Sequence, residues 1–315
     1  MMAETLRKMS VRSTPELDKS YHYTAYGLNI VTCIPCPELS PGNGLPDVTI
    51  RYGAVPDALA GAKERGAWYQ AIPDRLLLSI DGMARYLVTG GKEIVIERAP
   101  NAKDDEVRLF LLGSALGALL HQSGFLPLHG SAIEANGGCV AILGDSGLGK
   151  SALAGGFLKR GYRIMADDIC VVSVYGGSAP LVFPGYPQLK LWADTAGKLR
   201  EDTESLPKIH PKLEKYGMPL QKEFCQTLLP LHHIYVLETN NTQEFDLTPM
   251  KGMEKLMAII NNTYRLFFID GLCMKATHFK QCVEVAKNAV VSRVTRPREP
   301  FLLDELAELI EEDFS

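Results

Sequence analysis

The chain alternates between two rhythms of apolar and polar residues. From residue 21 to about residue 100, apolar positions come in short runs: 23–31, 48–52, 68–72, 75–80, 84–88 and 93–98, rich in Val, Ile, Leu and Tyr. Turn formers separate them, including Pro41-Gly42-Asn43-Gly44, Pro73-Asp74, Asp81-Gly82 and Gly90-Gly91. This predicts a small β-rich N-terminal domain over residues 20–103, built as an antiparallel sheet. At Asp104 the period changes. Residues 104–122 carry apolar side chains at helical spacing, with acids in the first turn where the helix dipole favours them. Strands are then expected at 125–134, 138–143, 163–166, 169–175 and 233–238, and helices at 150–159, 253–261, 278–288 and 302–314. Strands alternating with helices predict an α/β domain over residues 104–315, with an open, largely parallel sheet at its core. The polar, Pro-punctuated stretch 190–221 reads as a helix and loops. Residues 1–19 read as a frayed, basic arm.

Composition changes this picture little. The chain has 315 residues, 46% of them hydrophobic and 22% charged, enough for two domains at roughly 150 residues each. A formal net charge of −4 argues against a dedicated nucleic-acid surface, although the basic run 208–215 offers a local dock for an acidic segment. No apolar run approaches the ~18 residues that cross a membrane. Seven cysteines, an odd number without a secretory signal, fit free thiols in a reducing cytoplasm. Cys33 and Cys36 have CxxC spacing, but no second pair accompanies them, and a structural zinc site needs four ligands.

The chemistry concentrates in one stretch. Gly144-Asp145-Ser146-Gly147-Leu148-Gly149-Lys150-Ser151 fits G-x-x-x-x-G-K-[ST], between an apolar strand and a helix. Glycines let successive backbone N–H groups turn toward phosphate oxygens, Lys150 brings charge to the β- and γ-phosphates, and the Ser151 hydroxyl suits Mg²⁺. The helix that follows aims its positive end at the same anion. A nucleoside triphosphate and Mg²⁺ are therefore expected, the motif leaving ATP and GTP open. A carboxylate for the metal is expected at the end of a neighbouring strand, and 163–166 is followed by two, Asp167 and Asp168. One can serve the metal while the other accepts a proton from an attacking hydroxyl.

The block from His129 to Asp168 resembles the catalytic domain of HPr kinase/phosphorylase. The matching pieces are the His-Gly that opens a strand, GDSGLGKS, KRGYR and the closing ADD. The resemblance implies a P-loop kinase domain of the HPr kinase/phosphoenolpyruvate carboxykinase type and ATP-dependent phosphorylation of a serine. It implies that Asp167 activates the acceptor hydroxyl, that Asp168 serves the Mg²⁺ side with Ser151, and that His129 lies beside the reacting phosphoryl group. Bifunctional members carry Glu directly after the P-loop Ser, where this chain has Ala152. Their Arg- and Gly-rich segment for phosphorolysis is replaced by PGYPQLKLW, residues 184–192.

The overall plan, with its small β-rich domain, HGSAI, the double Asp, PGYPQLKLW and a late VSRVTRPRE, is similar to the kinases encoded with lasso-peptide biosynthesis genes. That resemblance implies a precursor peptide as partner, phosphorylated on its C-terminal serine. Lys190, Arg265, Arg293, Arg296 and Arg298 are then candidate cations for phosphate or a peptide carboxylate. A kinase for free serine and a nucleotide-gated regulatory protein remain alternatives. A homo-oligomer also stays open, with 302–314 as a candidate contact.

Overall fold

The computed structural model describes residues 19–62, 64–66, 68–174, 179–199, 206–209, 214–242 and 244–315. The expected N-terminal arm lies outside the described residues up to position 18, as do His210, the middle of the 208–215 run and the last residue of the strand expected at 169–175.

The β-rich segment forms a nine-stranded sheet. Its strands are β1 (Tyr21–Ala25), β2 (Leu28–Thr32), β3 (Ser40–Pro41), β4 (Val48–Tyr52), β5 (Glu64–Arg65), β6 (Tyr69–Ile72), β7 (Arg75–Ile80), β8 (Ala84–Thr89) and β9 (Glu93–Arg98), in the order β3-β1-β2-β4-β9-β8-β7-β6-β5. Alternation is clearest in β8, where Ala84, Tyr86 and Val88 are buried and their neighbours are half-buried; one face meets the core, as period-two patterning requires. The apolar run 23–31 is two strands, because Tyr26 and Gly27 take φ of 55° and 73° and turn the chain back. The sheet is mostly antiparallel as expected, but β4 pairs in parallel with both β2 and β9.

The helical period over 104–122 becomes α1 (Asp104–Phe110), a π-helical turn (Leu111–Ala115) and α2 (Leu116–Gln122). Asp104, Asp105 and Glu106 occupy the first turn, and the Glu106 carboxylate accepts from the Lys103 N–H at 3.0 Å. From Leu111 to His121 every residue is buried. A helix apolar all round must be covered on both sides, and here one core joins it to the nine-stranded sheet and to Ile169, Val171, Tyr186, Tyr264 and Phe268 beyond.

The second sheet holds β10 (Leu126–Ala135), β11 (Gly138–Leu143), β12 (Arg163–Ala166), β13 (Ile169–Ser173), β14 (Leu181–Phe183), β17 (Leu229–Asn240), β18 (Asp246–Pro249) and β19 (Val290–Pro297). Its order is β11-β10-β13-β14-β17-β19-β18, with β12 on β10, and the β11–β17 pairing closes a ring. The expected largely parallel sheet is corrected here. Among the described residues only β11–β17 and β17–β19 are parallel. The cause was visible in the sequence: Asn136 and Gly137, with φ of 50° and 73°, make the two-residue turn that folds β10 and β11 into an antiparallel hairpin. A further correction concerns 190–221, where β15 (Gln188–Trp192) pairs with β16 (Lys215–Pro219) in a separate ribbon, with α4 (Ala193–Leu199) in the connection between them.

With α3 (Lys150–Lys159), the helices α5 (Gly252–Asn261), α7 (Lys275–Asn288) and α8 (Leu303–Phe314) cover this sheet, while the short α6 (Phe268–Gly271) packs against β6 of the nine-stranded sheet. The apolar face of α8 (Leu306, Ala307, Ile310, Phe314) is buried within the chain, and Phe314 lies 5.9 Å from Phe157 of α3. Among the described residues no helix is long and apolar enough to cross a membrane.

Candidate active site

Strand β11 is buried over all six residues and runs straight into the glycine loop. Gly144, Gly147 and Gly149 take φ of 138°, 88° and 96°, conformations that only glycine adopts without strain. Gly149 is the residue before α3, and its carbonyl already accepts from Leu153 N–H at 2.8 Å. The loop amides 145–149 are therefore gathered at a helix start, the arrangement that binds anions.

Lys150 is 7% exposed and donates to the carbonyls of Gly144 and Asp145 at 2.7 and 2.9 Å. Its Nζ also lies 3.2 Å from His129 Nε2. Burial is the main cause that pushes its pKa down to about 8. His129, from β10, reaches the other way as well: Nδ1 is 3.2 Å from the Asp168 carbonyl and 3.7 Å from its carboxylate. Burial, and then the charge on Lys150, lower its pKa. A neutral ring with the proton on Nδ1 satisfies both neighbours, donating to Asp168 and accepting from Lys150.

The two aspartates are separated by their backbone. Asp167 follows β12 directly and is buried, 4% exposed. Its Oδ1 accepts from Ser131 Oγ at 2.6 Å and Ser151 Oγ at 2.8 Å, and Oδ2 accepts from Lys190 N–H at 2.7 Å. Asp168 has φ of 72°, and this left-handed residue turns its carboxylate out of the β12 line toward the cleft. There it meets Lys190 Nζ at 3.1 Å. Burial alone raises the Asp168 pKa, but Lys190, His129 and Lys215 outweigh it and hold the carboxyl far below the usual range. Lys190 responds in kind, since Asp168 overcomes its desolvation and keeps it protonated. So it is Asp167, not Asp168, that faces Ser151.

His129, the loop with Lys150 and Ser151, Asp168, Lys190, Trp192, Lys215 and Phe301 line a cleft of about 590 Å³, with Asp167 buried behind Ser151. Among the described residues no cluster of three or more His, Cys, Asp or Glu is spaced to cage a metal ion. The seven cysteines, Cys33 and Cys36 included, are all free.

Of the other cations, Arg296 buttresses the loop. Its Nη2 donates to the Leu148 carbonyl at 3.1 Å and its Nη1 to the Pro297 carbonyl at 2.7 Å, and the guanidinium lies 4.3 Å from the centre of the Phe301 ring. Arg293 is paired with Glu238 and Glu254. Arg298 is exposed. Arg265 lies by the aromatic rings of Trp68 and Tyr264, 5.3 Å from each. Nothing local marks Ser131, Tyr26 or Tyr264, and Tyr186 is marked only as part of PGYPQLKLW; the folded chain alone brings them to Asp167 and Asp168.

Gly130 explains the His-Gly pair. A Cβ there would sit 2.5 Å from the Ile142 carbonyl oxygen and 2.5 Å from Leu143 Cδ2, so β10 can approach β11 this closely only without a side chain. Gly130→Ala is expected to lower stability by about 1–3 kcal/mol, measured as a lower denaturant midpoint at unchanged slope.

No protein-family model matches the chain. Curated relatives do match parts of it. It is 41% identical over 54 residues to the HPr kinase/phosphorylase of Treponema pallidum (strain Nichols), covering 17% of each protein. It is 34% identical over 70 residues to that of Caldanaerobacter subterraneus subsp. tengcongensis, covering 21% of this chain and 23% of the relative. With the Enterococcus faecalis protein of the same name it shares 32% identity over 124 residues, 35% of this chain and 40% of the relative. The matches thus span less than half the length of these relatives. A solved Hpr(Ser) kinase/phosphatase from Coxiella burnetii aligns with 60% of this chain and 97% of its own, at 11% identity and a TM-score of 0.32. Over the matched segments the chain is homologous to the HPr kinase/phosphorylases, at modest identity and partial coverage.

Proposed function

We propose that the chain is an ATP-dependent serine kinase whose acceptor is a peptide, phosphorylated on a C-terminal serine as in lasso-peptide assembly. The observation that carries the kinase reading is the junction of Ser151 with Asp167 on one side of the cleft and of His129, Lys190 and Asp168 on the other. The homologous HPr kinase/phosphorylases support the phosphotransferase class.

The residues fit the expected groups. The triphosphate suits the loop amides and Lys150. Ser151 Oγ and an Asp167 oxygen, 2.8 Å apart, are hard donors of the kind Mg²⁺ takes when phosphates and water complete its shell. Bound there, Mg²⁺ would neutralise charge between the β- and γ-phosphates. This assigns Asp167 to the metal side and Asp168 to the acceptor, the reverse of the division expected from the family resemblance. The reason is geometric: Ser131 and the Lys190 N–H hold Asp167 against Ser151, with acceptor capacity to spare, whereas Asp168 faces the cleft.

In the transfer itself the acceptor Oγ–Pγ bond forms as the bond from Pγ to the β-phosphate bridging oxygen breaks. Asp168 orients the hydroxyl and takes its proton late, as suits a loose, metaphosphate-like transition state. Neutral His129 holds Asp168 through Nδ1–H. Lys190, a protonated partner of Asp168, lies where its charge is shared with a phosphoryl group drawing near. As Lys190 turns to that group, Asp168 loses its counterion and its proton affinity rises.

The test is to incubate the protein with Mg-ATP and peptides ending in serine, free serine and a small phosphocarrier protein, and read phosphoryl gain by mass. Transfer to the peptides supports the proposal. Transfer to free serine alone would make it a small-molecule kinase. ATP binding with no labelled acceptor would leave a nucleotide-gated regulatory protein.

A further inference from the structure

Four buried side-chain atoms lack a hydrogen-bond partner among the described residues: Glu38 Oε2, Glu134 Oε2, Arg265 Nε and Arg293 Nε. Three belong to side chains already in ion pairs, Glu38 with Arg108, Glu134 with Arg163, and Arg293 with Glu238 and Glu254. Arg265 is different. It is half-buried, and among the described residues no carboxylate pairs with it. Its backbone takes φ of 53°, a conformation costly for a residue with a Cβ and held only where surrounding structure enforces it.

Its surroundings are aromatic. The guanidinium lies 5.3 Å from the ring centres of both Trp68 and Tyr264. Rings supply attraction to the cation but leave its N–H donors unspent. Tyr264 is itself seated firmly: a Cβ at Gly117 would meet its ring at 2.7 Å, so the helix leaves room for it there. The Tyr264 ring centre is 5.8 Å from that of His129. The segment before Arg265 runs alongside His129, whose N–H donates to the Asn262 carbonyl at 2.7 Å, while Leu128 bridges Thr263. The unpaired cation is thus two side chains away from Asp168.

We infer that Arg265 anchors a carboxylate carried by the acceptor, fixing which hydroxyl reaches Asp168. A planar fork of free N–H donors matches a carboxylate in bidentate fashion. Of the other candidate cations, Lys190 is committed to Asp168, Arg293 to two glutamates and Arg296 to the glycine loop, while Arg298 is exposed and has no aromatic seat among the described residues. The inference also gives the nine-stranded sheet a part in recognition, because Trp68 reaches Arg265 from the start of β6. That the bound carboxylate belongs to a phosphoryl acceptor rests on the kinase reading; carboxylate binding at Arg265 is tested without phosphotransfer.

The chain has two tryptophans, so Trp192→Phe leaves Trp68 as the sole emitter. In that background three probes are titrated: a hexapeptide ending in a free-acid serine, the same peptide with an amidated C-terminus, and inorganic phosphate. The expected result is a saturable change in Trp68 emission with the free acid, absent with the amide and lost in Arg265→Gln. In the otherwise native chain, Arg265→Gln raises the KM for the free-acid peptide by roughly 10–100-fold, leaves the amide's KM unchanged and leaves Mg-ATP affinity intact. Equal responses to acid and amide, no response to either, or a response to phosphate that the free-acid peptide does not displace would overturn the inference. Transfer with equal KM for acid and amide removes this anchor and spares the kinase. An Arg265-dependent, acid-selective response without transfer does the opposite.

Discussion

Asp168→Asn lowers turnover by roughly 10²–10⁴-fold and leaves Mg-ATP affinity as it was. The amide keeps the size and most of the packing of the carboxylate, but it can neither take the acceptor proton nor balance Lys190. Because Asp168 touches Lys190 and His129 rather than Ser151, the loss falls on kcat. Asp167→Asn has a different signature. All three polar contacts of Asp167 are donors to it, from Ser131, Ser151 and the Lys190 backbone, so an amide NH₂ must face at least one of them. That costs about 1–3 kcal/mol of stability and weakens the Mg²⁺-dependent part of nucleotide binding. Measuring kcat, Mg-ATP affinity with and without Mg²⁺, and the unfolding midpoint for both variants separates the roles. Full turnover in Asp168→Asn, with Asp167→Asn losing kcat alone, would return the base to Asp167.

The same two residues mark how far the sequence speaks. Adjacent acids past a strand and a glycine loop before a helix are local patterns, and each lies where local chemistry puts it. Which acid faces which way depended on one dihedral, the positive φ of Asp168, and no residue type announces that at an Asp. Strand direction is legible at one place: Asn136-Gly137 is a hairpin turn, and it makes β10 and β11 antiparallel against the largely parallel sheet that the alternation of strands and helices predicts. The β15–β16 ribbon was hidden for another reason. Its strands are joined by a long connection, so Lys190 meets Gly217 only through a contact that no periodicity encodes. Tyr26, Tyr186 and Tyr264 gather around Lys190 from three distant segments; the Lys190 ammonium lies 5.8 Å from the Tyr186 ring centre, and Tyr26 meets Tyr186 edge-on. The apolar pattern dictated that such residues be buried, and only tertiary packing dictated against what.

Lys150→Met is expected to lower turnover by roughly 10²–10³-fold, the scale of removing one preorganised charge from a transferring group. The pH behaviour makes the prediction sharper. Desolvation holds the Lys150 pKa at about 8 against an ordinary 10.5, so the folded state gives up this proton before the unfolded chain does. Stability from this group is therefore greatest above 10.5 and is lost as pH falls through 8, a cost of about 3 kcal/mol at neutral pH. Nucleotide affinity runs the other way. Above pH 8 the free protein loses the ammonium that the phosphates need, and binding must restore it. At pH 8.5 Mg-ATP binding should take up roughly three-quarters of a proton, read from the buffer dependence of the calorimetric enthalpy, and affinity should fall steadily toward pH 10. In Lys150→Met the uptake disappears. His129 does not account for it, because burial and the Lys150 charge lower its pKa and leave it neutral well below this range. An uptake that persists in Lys150→Met would assign the proton to another group and remove Lys150 from the phosphates. A buried amine that costs stability in the empty protein and is recharged by its ligand is the signature of a residue kept for binding rather than for folding.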